Sequence, residues 1–374
     1  MTTSTQQNPV QRLLIVMPSP LGDAVMAMPT VRALRHLYGQ ACITALVRDS
    51  TRPVLESCPW VDRVVTIRTR RRGLLDGQRT RPVVLARRLA AGRFDMAVLL
   101  PNSFRTALLA RMAGIPRRVG YDRDGRGFLL TDRLLPRRDR GGFIPVPTRD
   151  YYLGIARYLG AIDPDPTLEL FTRPDHDARA DQILTDAGFE PSGAKRLVLV
   201  SPGANYGDAK MWHSDRFAAV AQRCVHEFGL VVAVTGAPSE RQILDRVLAA
   251  TRAPILDLLR LGVDLTLLKS VIRRSSLVVT NDTGPRHMAA AFNVPVVTIF
   301  GPTDPAWTSI DFAHERQVRV DVFCGPCQKK KCPLDHRCMT QISPEMVLDQ
   351  VVALLGENRP AVALSQPPIP LDRS

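Results

Sequence analysis

Short apolar runs alternate along the chain with longer stretches in which apolar residues recur every three or four positions. The runs predict strands at 13–17, 41–47, 61–67, 96–100, 197–201, 230–235, 277–280 and 294–300. Helical spacing follows the first strand at Val25, Met28, Val31 and Leu34, and further helices are predicted at 82–91, 215–228 and 239–250. Alternation of strand and helix is typical of parallel sheets with helices on both faces, so the predicted fold class is α/β.

The alternation is interrupted by a segment rich in proline and aspartate at 163–177, a composition typical of linkers. A chain of 374 residues also exceeds what one hydrophobic core usually supports. We therefore predict an N-terminal Rossmann-like domain at 1–175, a C-terminal Rossmann-like domain at 176–355 and a flexible tail at 356–374. Two such domains are expected to face each other across a cleft that holds the active site.

Positive charge is concentrated in the first half of the chain. Residues 1–180 contain 29 Arg, no Lys and 16 acidic residues, a net +13, whereas the remainder has 21 basic and 20 acidic residues, a net +1. A GC-rich genome would explain arginine in place of lysine but not this asymmetry. Because arginine binds phosphate and carboxylate groups well, the first half is expected to meet a polyanion or an anionic membrane surface.

The location of the protein is indicated by three features of the sequence. No apolar run approaches the roughly 18 residues of a membrane span. Residues 1–11 do not resemble a charged and apolar secretory leader. Seven cysteines, four of them crowded near the C-terminus, do not resemble a secreted disulfide framework. We therefore expect a cytoplasmic protein.

The segment 276–292 joins a buried strand to a helix of small residues through Asp282, Thr283 and Gly284. The unpaired amides and the positive dipole end of a helix N-terminus suit a phosphate group. The next strand ends in another polar break at 301–303, and two such loops on neighbouring strands form a ligand crevice. An ordinary capped turn would use the same residue types.

Two further residues of the second half follow predicted strands. Lys210 lies in the loop after the strand at 197–201. Its ammonium group could reach a diphosphate at the 282–284 turn, or it could be solvated at the surface. Glu240 could accept ribose hydroxyls or cap the next helix. Neither a Gly-x-Gly-x-x-Gly nor a Walker-type motif occurs, which disfavours nicotinamide chemistry and P-loop hydrolysis.

In the first half, Asp23 follows the first predicted strand, where a carboxylate could act as a general base or cap the next helix. The segments 101–105 and 120–127 are predicted loops that contain arginine and glycine. They could bind an anionic acceptor, or they could be solvated surface turns. Near the C-terminus, four cysteines form the spacing C-x2-C-x4-C-x5-C and could bind a structural zinc ion or lie in an exposed loop. These cysteines are Cys324, Cys327, Cys332 and Cys338.

Taken in order, the motifs resemble those of the lipopolysaccharide heptosyltransferases of glycosyltransferase family 9, most closely the heptosyltransferase II branch. The resemblance covers about residues 12–355, and its ordered motifs stand at 18–23, 100–105, 120–127, 202–212, 281–287, 300–305 and 324–338. One departure is Pro-Leu-Gly-Asp at 20–23, where the family commonly has Trp-Val-Gly-Asp or Trp-Ile-Gly-Asp. The Gly-Asp pair is retained.

The resemblance implies a GT-B fold and an inverting, metal-independent transfer of L-glycero-D-manno-heptose from ADP-heptose, with no cofactor. The acceptor would be the anionic inner core of lipopolysaccharide, at the cytoplasmic face of the inner membrane. By motif position, Asp23 is the expected base and Lys210 the cation that neutralises the donor diphosphate. The remaining expected donor-binding residues are Asn205, Glu240, Asp282, Thr283, Gly284 and His287. The expected acceptor-binding residues are Ser103, Arg105, Arg123 and Arg126.

Two alternatives remain open on the sequence alone. Another nucleotide-sugar transferase or an epimerase of the same fold would share most of these features. A non-catalytic polyanion-binding protein would account for the arginine excess. Because only 6% of the residues are aromatic, stacking on bases is poorly supported and no nucleic-acid partner is expected.

Overall fold

The computed structural model describes residues 10–67, 82–140, 142–204 and 207–357. The chain divides into two compact units between Thr167 and Leu168, a few residues before the boundary suggested by the sequence. Within the described ranges, no helix is long and apolar enough to cross a membrane.

The first unit is built on a parallel sheet. Its strands are β1 (Arg12–Val16), β2 (Cys42–Arg48), β3 (Arg63–Ile67), β4 (Met96–Leu99), β5 (Arg117–Tyr121) and β6 (Asp132–Leu134), and a short antiparallel pair follows, β7 (Arg138–Asp139) and β8 (Gly142–Phe143). Its helices are α1 (Leu21–Met26), α2 (Met28–Leu37), α3 (Pro82–Ala90), α4 (Phe104–Met112) and α5 (Thr148–Tyr158). The strand order across the sheet is β3-β2-β1-β4-β5-β6.

Both faces of the first sheet are covered, which explains why its central strands are almost entirely apolar. Leu14 and Val16 pack in one core cluster with residues of α3 and α4. Side chains alternate between the faces of a strand, so the buried Leu13 and Ile15 point to the other face. Helices α2 and α5 pack together there.

The second unit repeats this architecture. Its strands are β9 (Leu197–Ser201), β10 (Val231–Val234), β11 (Ile255–Asp257), β12 (Leu277–Asn281), β13 (Val296–Ile299) and β14 (Glu315–Val318). Its helices are α6 (Pro174–Asp186), α7 (Ser214–His226), α8 (Arg241–Ala249), α9 (Leu265–Arg274), α10 (Gly284–Ala291), α11 (Arg337–Thr340) and α12 (Pro344–Gly356). All neighbours in the order β11-β10-β9-β12-β13-β14 pair in parallel.

The shared strand order fixes where ligands are expected. In each sheet the winding direction reverses between the first and fourth strands, and open α/β sheets bind ligands at the carboxyl ends of the strands at this switch point. In the first unit the switch point lies between β1 and β4, whose following segments carry Asp23 and Ser103. In the second unit it lies between β9 and β12, which are followed by Lys210 and Asp282.

Candidate functional site

The loops after β9 and β12 meet at the switch point of the second unit. The Nζ of Lys210 donates to the Asp282 carboxylate Oδ2 at 2.7 Å and to the Asp282 backbone oxygen at 3.1 Å. Lys210 is only 9% exposed, so it is not a solvated surface lysine. The fold thus brings together two candidate residues that lie far apart in the sequence.

Asn281, the last residue of β12, fixes the loop that carries Lys210. Its Nδ2 donates to the backbone oxygens of Pro202 at 2.9 Å and Gly203 at 3.2 Å, and its Oδ1 accepts from the Trp212 amide at 3.2 Å. Asn281 is fully buried. Asn281 was not among the predicted site residues, although an amide at the end of an otherwise apolar strand is a signal that a loop is bound there.

Asp282 is the centre of a buried charge network. Its Oδ1 accepts from Arg286 at 2.9 Å, and its Oδ2 accepts from Thr303 at 3.1 Å in addition to Lys210. The fully buried Arg286 also binds both carboxylate oxygens of Glu315, at 2.6 and 3.0 Å. Burial alone would raise the pKa of Asp282, but Arg286 and Lys210 outweigh it and hold the pKa well below its ordinary value. Asp282 is therefore an anion that balances two buried cations.

This network corrects the expectation that Asp282 itself contacts the donor. Its carboxylate is buried and is surrounded by the groups that it binds. An anionic side chain in that position cannot contribute attraction for a diphosphate. What the structure shows for Asp282 is that it accepts two hydrogen bonds from Lys210. Arg286 was also missed, although it follows Asp282 by four residues, a spacing that often pairs opposite charges where a helix begins.

Thr283 and Gly284 lie where the sequence predicted a strand-to-helix junction. Helix α10 begins at Gly284, Thr283 is its N-cap residue, and both are partly exposed. The first amides of a helix have no partner within the helix and point toward its N-terminal end. A partly exposed helix N-terminus near a lysine is well suited to an anion.

His287 lies one turn into α10 and is almost fully buried. Burial, assisted by the neighbouring Arg286, lowers its pKa to about 3, so the imidazole is neutral at ordinary pH. Its Nδ1 is buried and has no hydrogen-bond partner among the described residues.

Glu240 joins the same edge of the sheet, after β10. Its Oε2 accepts from the Ala237 amide at 2.8 Å, which is the capping contact proposed as the alternative. The carboxylate also lies against Gly203, where any side chain would collide with it. Glu240 therefore reaches the lysine-bearing loop while it caps its own turn. Asn205 lies outside the described residues.

A C-terminal segment, residues 324–338, holds two of these loops. The backbone oxygen of Lys330 accepts from the Ala209 amide at 3.1 Å, and His336 Nε2 lies 2.7 Å from the Ala209 oxygen. The Gln328 amide donates to the Pro302 oxygen at 2.8 Å, in the loop after β13. The segment is thus bonded to the residue next to Lys210 and to the neighbouring loop.

The four cysteines of this segment line one pocket together with Ala209, Pro302 and His336. Across the described ranges, however, no three His, Cys, Asp or Glu side chains are grouped so that they could hold a metal ion. The described residues therefore show no arrangement of these cysteines that is ready to hold zinc. Within this segment, His336 contacts a backbone oxygen and Cys332 Sγ accepts from the Leu334 amide at 3.4 Å.

In the first unit, Asp23 lies in the first turn of α1, at the switch point. Its carboxylate accepts a hydrogen bond from the hydroxyl of Tyr152, a buried residue of α5. Burial and the Asp23 charge raise the pKa of Tyr152 well above its ordinary value, so the hydroxyl remains a donor. Tyr152 was not predicted, because nothing local in the sequence connects it to Asp23.

The candidate acceptor residues lie in the segments after β4 and β5. Ser103 is the N-cap residue of α4, and Arg105 is exposed on its first turn. The Arg123 guanidinium lies 3.9 Å from the ring centre of Phe143. These three are partly or fully exposed.

Arg126 differs from the other candidates and requires a correction. It is fully buried, and its guanidinium donates to the backbone oxygens of Tyr121, at 3.0 Å, and Pro101. A weak contact at 3.4 Å reaches the Asn102 side chain. Because its donors are directed to the protein, Arg126 fixes the loops after β4 and β5 and is not itself placed to contact an acceptor.

Comparison with known proteins places the chain in a family. A model of glycosyltransferase family 9 (heptosyltransferase) matches residues 83–338. The chain is 29% identical over 351 residues to lipopolysaccharide heptosyltransferase 2 of Escherichia coli K12, which covers 92% of this chain and 98% of that protein. It is 28% identical to the protein of the same name from Salmonella typhimurium, covering 92% of this chain and 99% of that one.

Solved structures give the same result. The E. coli ADP-heptose lps heptosyltransferase II matches with a TM-score of 0.75 and 25% identity, over 93% of this chain and 99% of that chain. A family 9 glycosyl transferase of Veillonella parvula, 22% identical, shares the fold with a TM-score of 0.77 over 93% and 98% of the two chains. The two α/β units are those of GT-B heptosyltransferase structures. Since the family model matches more than half of its residues, the chain belongs to glycosyltransferase family 9, the heptosyltransferase family.

Proposed function

We propose that the protein transfers L-glycero-D-manno-heptose from ADP-heptose to the inner core of lipopolysaccharide, with inversion at the anomeric carbon and without a catalytic metal. The observation that carries this proposal is the buried Lys210–Asp282 pair beside the N-terminus of α10, in a chain of this family. The similarity to proteins named lipopolysaccharide heptosyltransferase 2 supports the class of donor and acceptor.

On the donor side, the leaving group is a nucleoside diphosphate. Negative charge grows on its oxygen as the anomeric bond breaks, and fixed positive groups stabilise that charge most effectively when they need not reorganise. Lys210 is held in place by Asp282, and the amides of Thr283 and Gly284 lie at the positive end of α10. Glu240 and Asn205 are proposed to contact the nucleoside, and His287 to line the pocket as a neutral group.

On the acceptor side, a hydroxyl must lose its proton as it attacks. Asp23 is proposed to take that proton, and the hydrogen bond from Tyr152 orients its carboxylate. A base on the acceptor side of the sugar and a leaving group on the opposite side give inversion. Ser103, Arg105 and Arg123 are proposed to bind the anionic acceptor, and the protein to act peripherally at the inner face of the inner membrane.

The experiment that tests this function measures product mass. The purified protein is incubated with ADP-heptose and a panel of core oligosaccharide acceptors, and mass spectrometry is expected to detect addition of one heptosyl residue. Lys210→Ala should lower kcat by about 10²–10³-fold, the usual loss for one transition-state donor. Lys195→Ala removes an exposed lysine elsewhere in the same unit and should leave kcat unchanged.

The alternatives predict different outcomes. Transfer from UDP-sugars, with calorimetric binding of UDP rather than ADP, would point to another transferase or to an epimerase. Salt-dependent retention of DNA with no sugar transfer would favour the polyanion-binding protein.

A further inference from the structure

Helix α4 exposes an apolar face that packs in neither core of the described residues. Phe104, Leu108 and Met112 are spaced four residues apart, so they lie on one side of the helix, and each is 37–45% exposed. The ring of Phe128, which is 64% exposed, lies 6.0 Å from that of Phe104. We call these four residues the α4 face. The core contacts of α4 are made by other side chains, Ala107, Leu109 and Ala110.

The surroundings of the α4 face are basic. Arg105 and Arg111 are exposed on α4 itself, and Arg87 and Arg88 are exposed on α3, which packs beside it. Neither helix contains an acidic residue. Four exposed cations therefore lie on α4 and on the helix packed against it, in the half of the chain that carries nearly all of the net charge.

We propose that the α4 face docks the protein on an anionic lipid bilayer. The apolar side chains enter the boundary between headgroups and acyl chains, and the arginines lie against lipid phosphates, as in other interfacial helices. This inference rests on the proposed function in one respect, since a lipid-linked acceptor is presented at such a surface. Ser103 and Arg105, the proposed acceptor residues, lie at the start of the same helix.

The positive charge and the exposed apolar side chains of the α4 face together favour an anionic bilayer as its partner. A nucleic acid would bind the arginines but would offer nothing apolar to Leu108 and Met112. A second copy of the chain would bring the same basic face against itself, which is unfavourable. An anionic bilayer satisfies both parts of the surface.

The test is co-sedimentation of the full chain with vesicles of phosphatidylglycerol and phosphatidylethanolamine, compared with vesicles of phosphatidylcholine. We expect the wild type to bind the anionic vesicles, more weakly as salt rises. The double variant L108Q/M112Q and the charge-reversal variant R87E/R88E should each bind at least about tenfold more weakly. The matched control Y158Q/I162Q changes two exposed apolar residues on and just after α5, on the opposite side of the sheet, and should bind like the wild type.

Activity separates this proposal from the proposed function. With an acyl-free core oligosaccharide, L108Q/M112Q should transfer heptose at the wild-type rate, whereas with acceptor embedded in vesicles its rate should fall. Equal vesicle binding by the wild type, L108Q/M112Q and R87E/R88E would overturn the docking proposal even if transfer occurs. A wild-type dimer that L108Q/M112Q dissociates, without vesicle binding, would overturn it in favour of an interface between copies. Vesicle binding without transfer to any acceptor would leave docking supported and refute the proposed function.

Discussion

Replacing Asp282 by asparagine should destabilise the second unit more than any change to a surface ion pair. The substitution preserves shape but converts one carboxylate oxygen into an amide donor. Lys210 and Arg286 each donate to a different oxygen of this carboxylate, at 2.7 and 2.9 Å. At least one buried cation will therefore face a donor in place of an acceptor.

The magnitude follows from burial. Both cations are at least nine-tenths buried, and removing one partner of a buried ion pair typically costs about 3–5 kcal/mol. For a unit of this size that corresponds to a decrease in Tm of about 6–20 °C. Because the folded-state pKa of Asp282 lies below the unfolded value of about 3.9, its contribution is fully present above about pH 4 and is lost as the pH falls below it.

Differential scanning calorimetry of the full chain at pH 7 measures the effect. The control is Asp175→Asn, which breaks the exposed pair with Arg173 on the same unit and should leave Tm unchanged. We also expect the KM for ADP-heptose to rise in Asp282→Asn, because Lys210 is no longer held. If Asp282→Asn melts like the wild type, Asp282 does not balance the two cations and our account of the site is wrong.

Three further predictions concern Tyr152, His336 and His287. Tyr152→Phe should lower kcat by about two- to tenfold, because the Asp23 carboxylate loses a hydrogen-bond donor. The acidic limb of the pH–kcat profile should move to higher pH for the same reason. ADP binding, measured by calorimetry, should stay unchanged. His336→Ala should raise the KM for ADP-heptose by about two- to tenfold, because it releases the loop that carries Lys210. His336→Gln, which keeps a side-chain donor, should restore the KM. An equal rise in His226→Ala, a change to an exposed histidine, would contradict this. The pKa of His287 is about 3 in the folded protein, against about 6.5 in the unfolded chain. Between pH 6 and 4 the free energy of unfolding of the wild type should therefore fall by about 1.4 kcal/mol per pH unit relative to that of His287→Gln. If urea unfolding gives the same pH dependence for both proteins, the pKa of His287 is not lowered.

The strands were predictable because burial on both faces demands continuous apolar runs. All eight predicted strands are present, with ends that differ by at most two residues. The strand β5 was missed because its sequence, Arg-Arg-Val-Gly-Tyr, holds a single aliphatic residue. The helix α4 was missed because it is apolar both toward the core and on the exposed α4 face, which erases the helical period in the sequence.

The candidate site was predictable only in part. The positions of Lys210 and the 282–284 turn follow from strand ends, which the apolar pattern gives directly. Their mutual contact spans 72 residues of sequence, so the pairing that makes Asp282 a support for Lys210 depends on the fold. Arg126 illustrates the same limit, since a sequence shows that a residue is charged but not that its charge is buried against backbone oxygens.

The most direct test of the central claim compares the wild type with Asp23→Asn in two measurements on the same preparations. Mass spectrometry follows heptosyl transfer from ADP-heptose to a core oligosaccharide, and calorimetry follows ADP binding. Our account predicts that the wild type adds one heptosyl residue, that Asp23→Asn adds none within the same time, and that both bind ADP equally. Transfer by Asp23→Asn at the wild-type rate, or failure of the wild type to use ADP-heptose with any core acceptor, would contradict it.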